Sequence, residues 1–156
     1  MASREDLVGR TGEPFTMVVE LGKISEFARA TKSRHPAYAG SPAETPGPVS
    51  PLTFLVSAAF WMTPESSPWS GVERNWERIL HGEQEFIFHG EPPRAGTVLT
   101  GVARIDRVYE KEGKRGGVMV FTEAVTEFRD AGGRLVAESR STLIETSRAA
   151  TPGGEG

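Results

Sequence analysis

Residues Leu52 to Met62 read LTFLVSAAFWM, an apolar run that follows Ser50-Pro51 and stops at Thr63-Pro64. Serine is a good helix N-cap and proline suits the first helical position, so the run reads as a helix. Only Thr53 and Ser57 interrupt it, and their spacing of four puts them on one face. A helix with no polar face has to be surrounded by other structure. It is too short to span a bilayer, which takes about 20 residues. Whatever this chain folds into must therefore enclose Leu52–Met62.

The flanking sequence supplies material for that. Phe15 to Leu21 alternates apolar and polar and reads as a strand closed by Gly22. Ile24 to Thr31 reads as a helix with Ile24, Phe27 and Ala28 on one face, and Gly71 to Leu80 as a second amphipathic helix with Val72, Trp76 and Ile79 or Leu80 inward. Beyond that the pattern is all strand: Glu83–His89, Gly96–Tyr109, Val118–Phe128 and Leu135–Thr146. Gly113–Gly117 and Asp130–Gly133 are Gly-rich connections of hairpin type. Gly40–Pro48 reads as an irregular loop. Long antiparallel strands after one apolar helix fit an α+β fold in which a strongly curved sheet wraps the helix, usually completed by a second subunit. That is the hot-dog arrangement, one of several α+β folds open to this pattern. A single domain over residues 1–150 and a polar tail over 151–156 are expected.

Composition removes whole classes of function. The 156 residues carry 18 Lys and Arg against 21 Asp and Glu, which gives no electrostatic case for nucleic acid or an anionic membrane. There is no cysteine, so disulfides and thiolate metal sites are excluded. Met1 to Arg10 has no apolar segment of the secretory kind. A cytoplasmic protein without cofactor or metal is the expectation. No nucleophile elbow, phosphate-binding Gly loop or zinc spacing is present, and "GGRLV" is a turn because no helix follows it.

In order, the chain reads "ISEFARATKSRHPAY", a loop, "VSPLTFLVSAAF", "LHGEQEFIFHGEPPRAGT", and hairpins ending in "GRLVAESRSTLIET". Over residues 7 to 146 this resembles the MaoC-like dehydratases. It is closest to their N-terminal, FAS-type domain, which includes the non-catalytic subunit of mycobacterial (3R)-hydroxyacyl-ACP dehydratase. "SPLTF" is the most specific match. Catalytic members of that family carry Gly-Asp-x-Asn-Pro-x-His after the first helix. Here the matching run is Lys32-Ser33-Arg34-His35-Pro36-Ala37-Tyr38. Proline is kept, but Ser33 stands at the Asp position and Tyr38 at the His position.

Hydrating a trans-2-enoyl thioester needs a water oriented at C3 and a proton delivered to C2, which carboxylate and imidazole do together. A lone serine is far too weak an acid to act as base near neutral pH, and tyrosine's pKa is about 10. The resemblance thus implies a scaffold with no intact catalytic residue. It implies a non-catalytic, acyl-chain-binding subunit that pairs with a second hot-dog chain carrying the Asp/His motif, or else forms a homodimer. The substrate would be an acyl-CoA or acyl-carrier-protein thioester. Ser50, Leu52 and Thr53 sit where the family offers backbone N–H donors to the thioester carbonyl, and Phe54 and Ser57 lie along the same helix.

The plainer reading of each residue stands beside this. His35, at the family's Asn position, is a weak candidate for rescue and otherwise a loop histidine. Ser50 reads first as a helix cap, and Thr53 and Ser57 as hydroxyls bonding back to their own helix. Trp61, Trp69 and Trp76 read as core or interface anchors. His81 and His89 lack ligand spacing. Glu83, Glu85, Glu123 and Glu127 read as a solvated strand face. The competing functions are a self-sufficient acyl-CoA thioesterase or hydratase and a non-enzymatic acyl-thioester scaffold. A thioesterase needs a carboxylate, and Ser50 to Met62 holds none.

Overall fold

A computed structural model describes residues 5–41, 46–113 and 117–147. Five antiparallel strands form one curved sheet: β1 (Phe15–Val18), β2 (Ile79–Phe88), β3 (Val98–Glu112), β4 (Val118–Arg129) and β5 (Leu135–Glu145), in spatial order β1-β3-β4-β5-β2. Helix α1 (Leu21–Ala30) and a 3₁₀ helix (Phe54–Phe60) supply the helical layer. This is the α+β hot-dog arrangement. The β3–β4 and β4–β5 pairs are the expected hairpins. In the second, the Asp130 carboxylate accepts from the N–H groups of Gly132 and Arg134, and Gly133 takes φ +80°. Residues 114–116 of the first hairpin loop, 42–45 of the Gly40–Pro48 loop and the whole 151–156 tail lie outside the described residues.

Alternation along the strands decides which face holds the core. Leu99, Ala103 and Ile105 of β3 are buried, as are Phe128 of β4 and its cross-strand partner Ala137 of β5. Phe15, Met17 and Val19 join them, and Phe54 and Leu55 of the 3₁₀ helix close the cluster with Ile24 of α1. Gly101 is required at the crossing of β3 and β1, because a Cβ there would overlap the Phe15 ring. Burying these side chains at about 25 cal/mol per Å² is the main force holding helix to sheet.

Several expectations need correction. The central helix is 3₁₀ and shorter than Leu52–Met62. Its period of three sets up separate rows. Leu55 and Ala58 face the sheet, Phe54, Ser57 and Phe60 share a second row, and Thr53, Val56 and Ala59 face outward. The Ser57 hydroxyl donates to the Phe54 carbonyl at 2.7 Å, an i to i−3 bond that suits this tighter winding. The enclosure expected of an all-apolar helix is only half supplied by the chain: Leu52, Val56 and Phe60 stay 57%, 52% and 88% exposed. One sheet has one face to give.

No α-helix forms over Gly71–Leu80. Gly71 sits at φ +70°, Asn75 caps a single 3₁₀ turn at Trp76–Arg78, and Ile79 and Leu80 are taken into β2 by pairing with Glu145 and Ile144. Trp76 is 73% exposed and anchors no core, whereas Trp61 packs against the core. Trp69 stacks under the Arg74 guanidinium at 3.8 Å. At the other end of the chain, β1 stops at Val18. Gly22 lies in the first turn of α1 and does not terminate the strand.

Helix α1 ends in a Schellman motif. Lys32 N–H donates to Arg29 C=O at 3.0 Å and Ser33 N–H to Ala28 C=O at 2.8 Å. The position between cap and loop takes φ +56°, and it is Lys32 that occupies it. A side chain costs about 1–2 kcal/mol in this left-handed region, while glycine costs about 0.5–1 kcal/mol in unfolded-state entropy. Lys32→Gly is therefore expected to raise unfolding free energy by about 0.5–1 kcal/mol, and Lys32→Ala to leave it unchanged, both read from urea denaturation midpoints.

Candidate functional site

The Schellman turn delivers the chain into Ser33–Tyr38. His35 precedes a 3₁₀ turn at Pro36–Tyr38, and its Nδ1 accepts the Ala37 N–H at 3.2 Å. That bond fixes Nδ1 as the acceptor and leaves an exposed ring beside Tyr38, with centroids 5.2 Å apart. The Ser33 hydroxyl accepts the His35 N–H at 3.4 Å, and Tyr38 packs against the core cluster. Among the described residues, neither Ser33 nor Tyr38 makes a hydrogen bond with a carboxylate or an imidazole nitrogen. The sole imidazole–carboxylate pair among the described residues is His89 Nε2 with Glu138 Oε2 at 2.9 Å. Glu138 stands one residue past the inward-facing Ala137 and opposite Glu127, so this pair is on the outer face of the sheet, away from the helices.

Across from the Ser33–Tyr38 turn, Val49 N–H bonds Ala37 C=O and Ser50 N–H bonds Pro93 C=O at 2.8 Å. The cap reading of Ser50 fails. Its N–H is spent on Pro93, and its fully buried hydroxyl has no hydrogen-bond partner among the described residues, so it does not cap the helix. The helix starts later, where Phe54 N–H bonds Pro51 C=O. Leu52 and Thr53, both exposed, keep their N–H groups out of the chain's backbone hydrogen bonds among the described residues. They are the donors that a carbonyl oxygen approaching this end of the helix would meet.

A cleft of about 540 Å³ opens between α1 and the 3₁₀ helix. Its walls are apolar: Phe27, Phe54, Phe60 and Trp61, with the Phe27 and Phe54 rings edge to face at 5.6 Å. Ser57 is the hydroxyl inside it. The rim is charged, with Glu20 and the Lys23–Glu26 ion pair at 2.9 Å. The Lys23 ammonium holds the Glu26 carboxyl below its usual range. Of the expected substrate-contacting residues, the structure brings Phe54 and Ser57 into this cleft and leaves Ser50, Leu52 and Thr53 off it. The sequence reading missed the rim and Phe60. A period of three from Phe54 would have found Phe60, but the rim charges look like any solvated helix face.

The outer face of the sheet carries linked ion pairs. Glu127 accepts from Arg104 at 2.8 Å and Arg129 at 2.7 Å, and Glu138 accepts from His89 and Arg140. Glu127 is thus no idle solvated carboxylate. The hydrogen bonds from Arg129 and Arg104 pull the Glu127 carboxyl down, and those from His89 and Arg140 do the same to Glu138. No grouping of His, Asp and Glu that could hold a metal occurs among the described residues, and no helix there is long and apolar enough to cross a membrane.

The family model described as the FAS1-like dehydratase domain region matches residues 6–139. A UPF0336 protein of Saccharopolyspora erythraea is 31% identical over 159 residues, covering 97% of this chain and 96% of that one. A UPF0336 protein of Mycobacterium tuberculosis is 33% identical over 135 residues, covering 84% and 78%. Among solved structures, the C-terminally truncated HadBC (3R-hydroxyacyl-ACP dehydratase) complex of Mycobacterium tuberculosis matches with TM-score 0.69 and 28% identity, covering 89% of this chain and 97% of that one. The ChsH1–ChsH2 complex of the same organism shares the fold at TM-score 0.64 and 17% identity, covering 91% and 87%.

Two outcomes follow from the site itself. An unpartnered buried hydroxyl costs about 1–3 kcal/mol, so Ser50→Ala is expected to stabilise the chain by about 1 kcal/mol in urea denaturation, where loss of a cap would destabilise it by a similar amount. The paired carboxylates set the acid side of the stability curve. Their folded pKa values lie below the ordinary value of 4.5. Their contribution is complete above that value and is lost as pH falls through the lower folded values. The melting temperature should hold from neutral pH down to about 5 and then drop, and Glu138→Gln should flatten that drop.

Proposed function

The chain belongs to the FAS1-like dehydratase-region family of MaoC-like dehydratases, and from that membership we propose that it is the non-catalytic, acyl-chain-holding subunit of a heteromeric (3R)-hydroxyacyl-thioester dehydratase, equally an enoyl-thioester hydratase. Residues 1–150 would act as one hot-dog domain. The reading rests above all on the Ser33–Tyr38 turn. It is folded and anchored to the core, yet holds a hydroxyl and a phenol where the resemblance calls for a carboxylate and an imidazole. His35 is a poor substitute: its Nδ1 accepts the Ala37 N–H, and among the described residues no carboxylate bonds its ring.

The division of labour then follows from chemistry. The partner's carboxylate and imidazole hold the water at C3 and move the proton at C2. This chain holds the acyl tail against Phe27, Phe54, Phe60 and Trp61, where apolar contact stabilises each buried methylene by about 0.8 kcal/mol. The N–H groups of Leu52 and Thr53, outside the backbone hydrogen bonds of the described residues, would steady a carbonyl oxygen as negative charge develops on it. Exposed Val56 and Phe60 on the central helix, with Leu52 just ahead of it, ask for cover from a second chain. That HadBC and ChsH1–ChsH2 are two-component complexes supports the same reading.

One observation favours a second reading, an acyl-CoA thioesterase: Glu20 and Glu26 stand on the cleft rim. Glu26 is already committed to Lys23, which weakens it as a base. Acyl-CoA hydrolysis by the purified chain would establish that reading.

Co-expression with the adjacent reading frames is expected to co-purify a hot-dog chain bearing the Asp/His motif. In that complex Ser33→Ala and Tyr38→Phe should leave kcat/KM within about threefold, whereas a dyad member of a catalytic chain costs about 10²-fold or more. A stable homodimer with no such partner, or loss of turnover in Tyr38→Phe, would contradict the proposal.

A further inference from the structure

The sheet has two edges. β1 is short, with four residues, but β2 runs for ten and has β5 on one side only. A long unpaired edge is a template for another strand. Leu80 is 44% exposed on this edge strand and Trp76 73% exposed just before it, apolar surface that a second chain would cover. What decides the occupant is charge.

Phe86 and Phe88 of β2 turn toward the core, so Glu83, Glu85 and Ile87 turn to the outer face. Glu83 and Glu85 are exposed. They border a shallow cleft of about 180 Å³ with Asp106, Glu123 and Arg140. The cations there are largely committed elsewhere. Arg104 lies 3.3 Å from Asp106, Arg107 lies 3.9 Å from Glu123, and Arg140 donates to Glu138 at 2.9 Å. Glu85 shares Arg140 as its cross-strand neighbour, and Glu83 has no ion pair among the described residues. The uncompensated negative charge thus sits on the edge strand itself.

Consider a second copy pairing antiparallel on this edge. A two-fold axis normal to the sheet keeps the outer faces continuous, so outer-face residues meet outer-face residues. Centred on Gln84, it sets Glu83 against Glu85 of the other copy, twice; centred one residue to either side, it sets Glu83 or Glu85 against itself. Like charges directly opposed across strands are destabilising, and two such pairs weaken self-pairing about tenfold. We propose that the outer-face carboxylates of β2 select a different chain, one whose edge strand carries Lys or Arg on its outer face, and disfavour a second copy of this one. The inference rests on the two-subunit reading above and adds the chemistry of the partner strand. The glutamates do not touch the acyl cleft, so their role is choice of partner and not catalysis.

The test needs only this chain and its charge-swapped form, Glu83→Lys/Glu85→Lys, with sedimentation as the readout. Both substitutions are at exposed positions, and far-UV circular dichroism checks that the fold is kept. Each form alone is expected to self-associate weakly, because Glu meets Glu or Lys meets Lys. An equimolar mixture should dimerise about tenfold more tightly than either form alone, and the advantage should vanish near 1 M salt, where the screening length is about 3 Å. Glu83→Gln/Glu85→Gln should self-associate more tightly than the native chain. If the native chain alone dimerises as tightly as the mixture, or if the neutral variant gains nothing, the inference is overturned. Co-purification of a dyad-bearing chain reads the two-subunit proposal separately.

Discussion

Everything in this molecule is organised by one imbalance: an apolar helix that needs cover on every side lies on a sheet that covers one. Leu55 and Ala58 satisfy the sheet, Phe54 and Ser57 turn toward α1, and Val56 and Phe60 remain in water. The 3₁₀ winding sharpens the division, since a period of three sorts the residues into straight rows where a period of 3.6 would spread them. The first row builds the core and the second builds the cleft. The outward row, with Leu52 ahead of it, is apolar surface of the kind that marks an interaction site.

The same imbalance links fold to chemistry. The Schellman turn at Lys32 aims the chain so that the Ser33–Tyr38 segment lies against Val49, at the entrance to the central helix. In the proposed reading this segment is the support for a catalytic pair, with Ser33 and Tyr38 where the resemblance puts the carboxylate and the imidazole. The outer face follows a different logic. Its ion pairs tie β3 to β4 through Glu127 and bind Glu138 of β5 to Arg140 and to His89 just beyond β2, while Glu83 of the edge strand has no ion pair among the described residues.

The sequence was most legible where structure is local. β3, β4 and β5 fall within a few residues of their expected bounds, because Leu99, Ala103 and Ile105 announce a buried face and Asp130–Gly133 announces a turn. It was least legible where a distant partner decides. Ile79 and Leu80 look helical in isolation and become strand through Glu145 and Ile144. Ser50 looks like a cap, but its backbone is claimed by Pro93. The cleft was not legible either, since Lys23 and Glu26 become a rim only once α1 packs beside Phe54 and Phe60.

A chain without its own carboxylate and imidazole pair should not move water onto a double bond unaided. The direct measurement is the absorbance of the conjugated enoyl thioester when the isolated, monomeric chain is mixed in excess with trans-2-enoyl-CoA. The chromophore should persist, with binding detectable as protection of the Phe54–Phe60 amides from hydrogen exchange. Steady loss of the chromophore through repeated turnovers, abolished by Tyr38→Phe or Ser33→Ala, would contradict it.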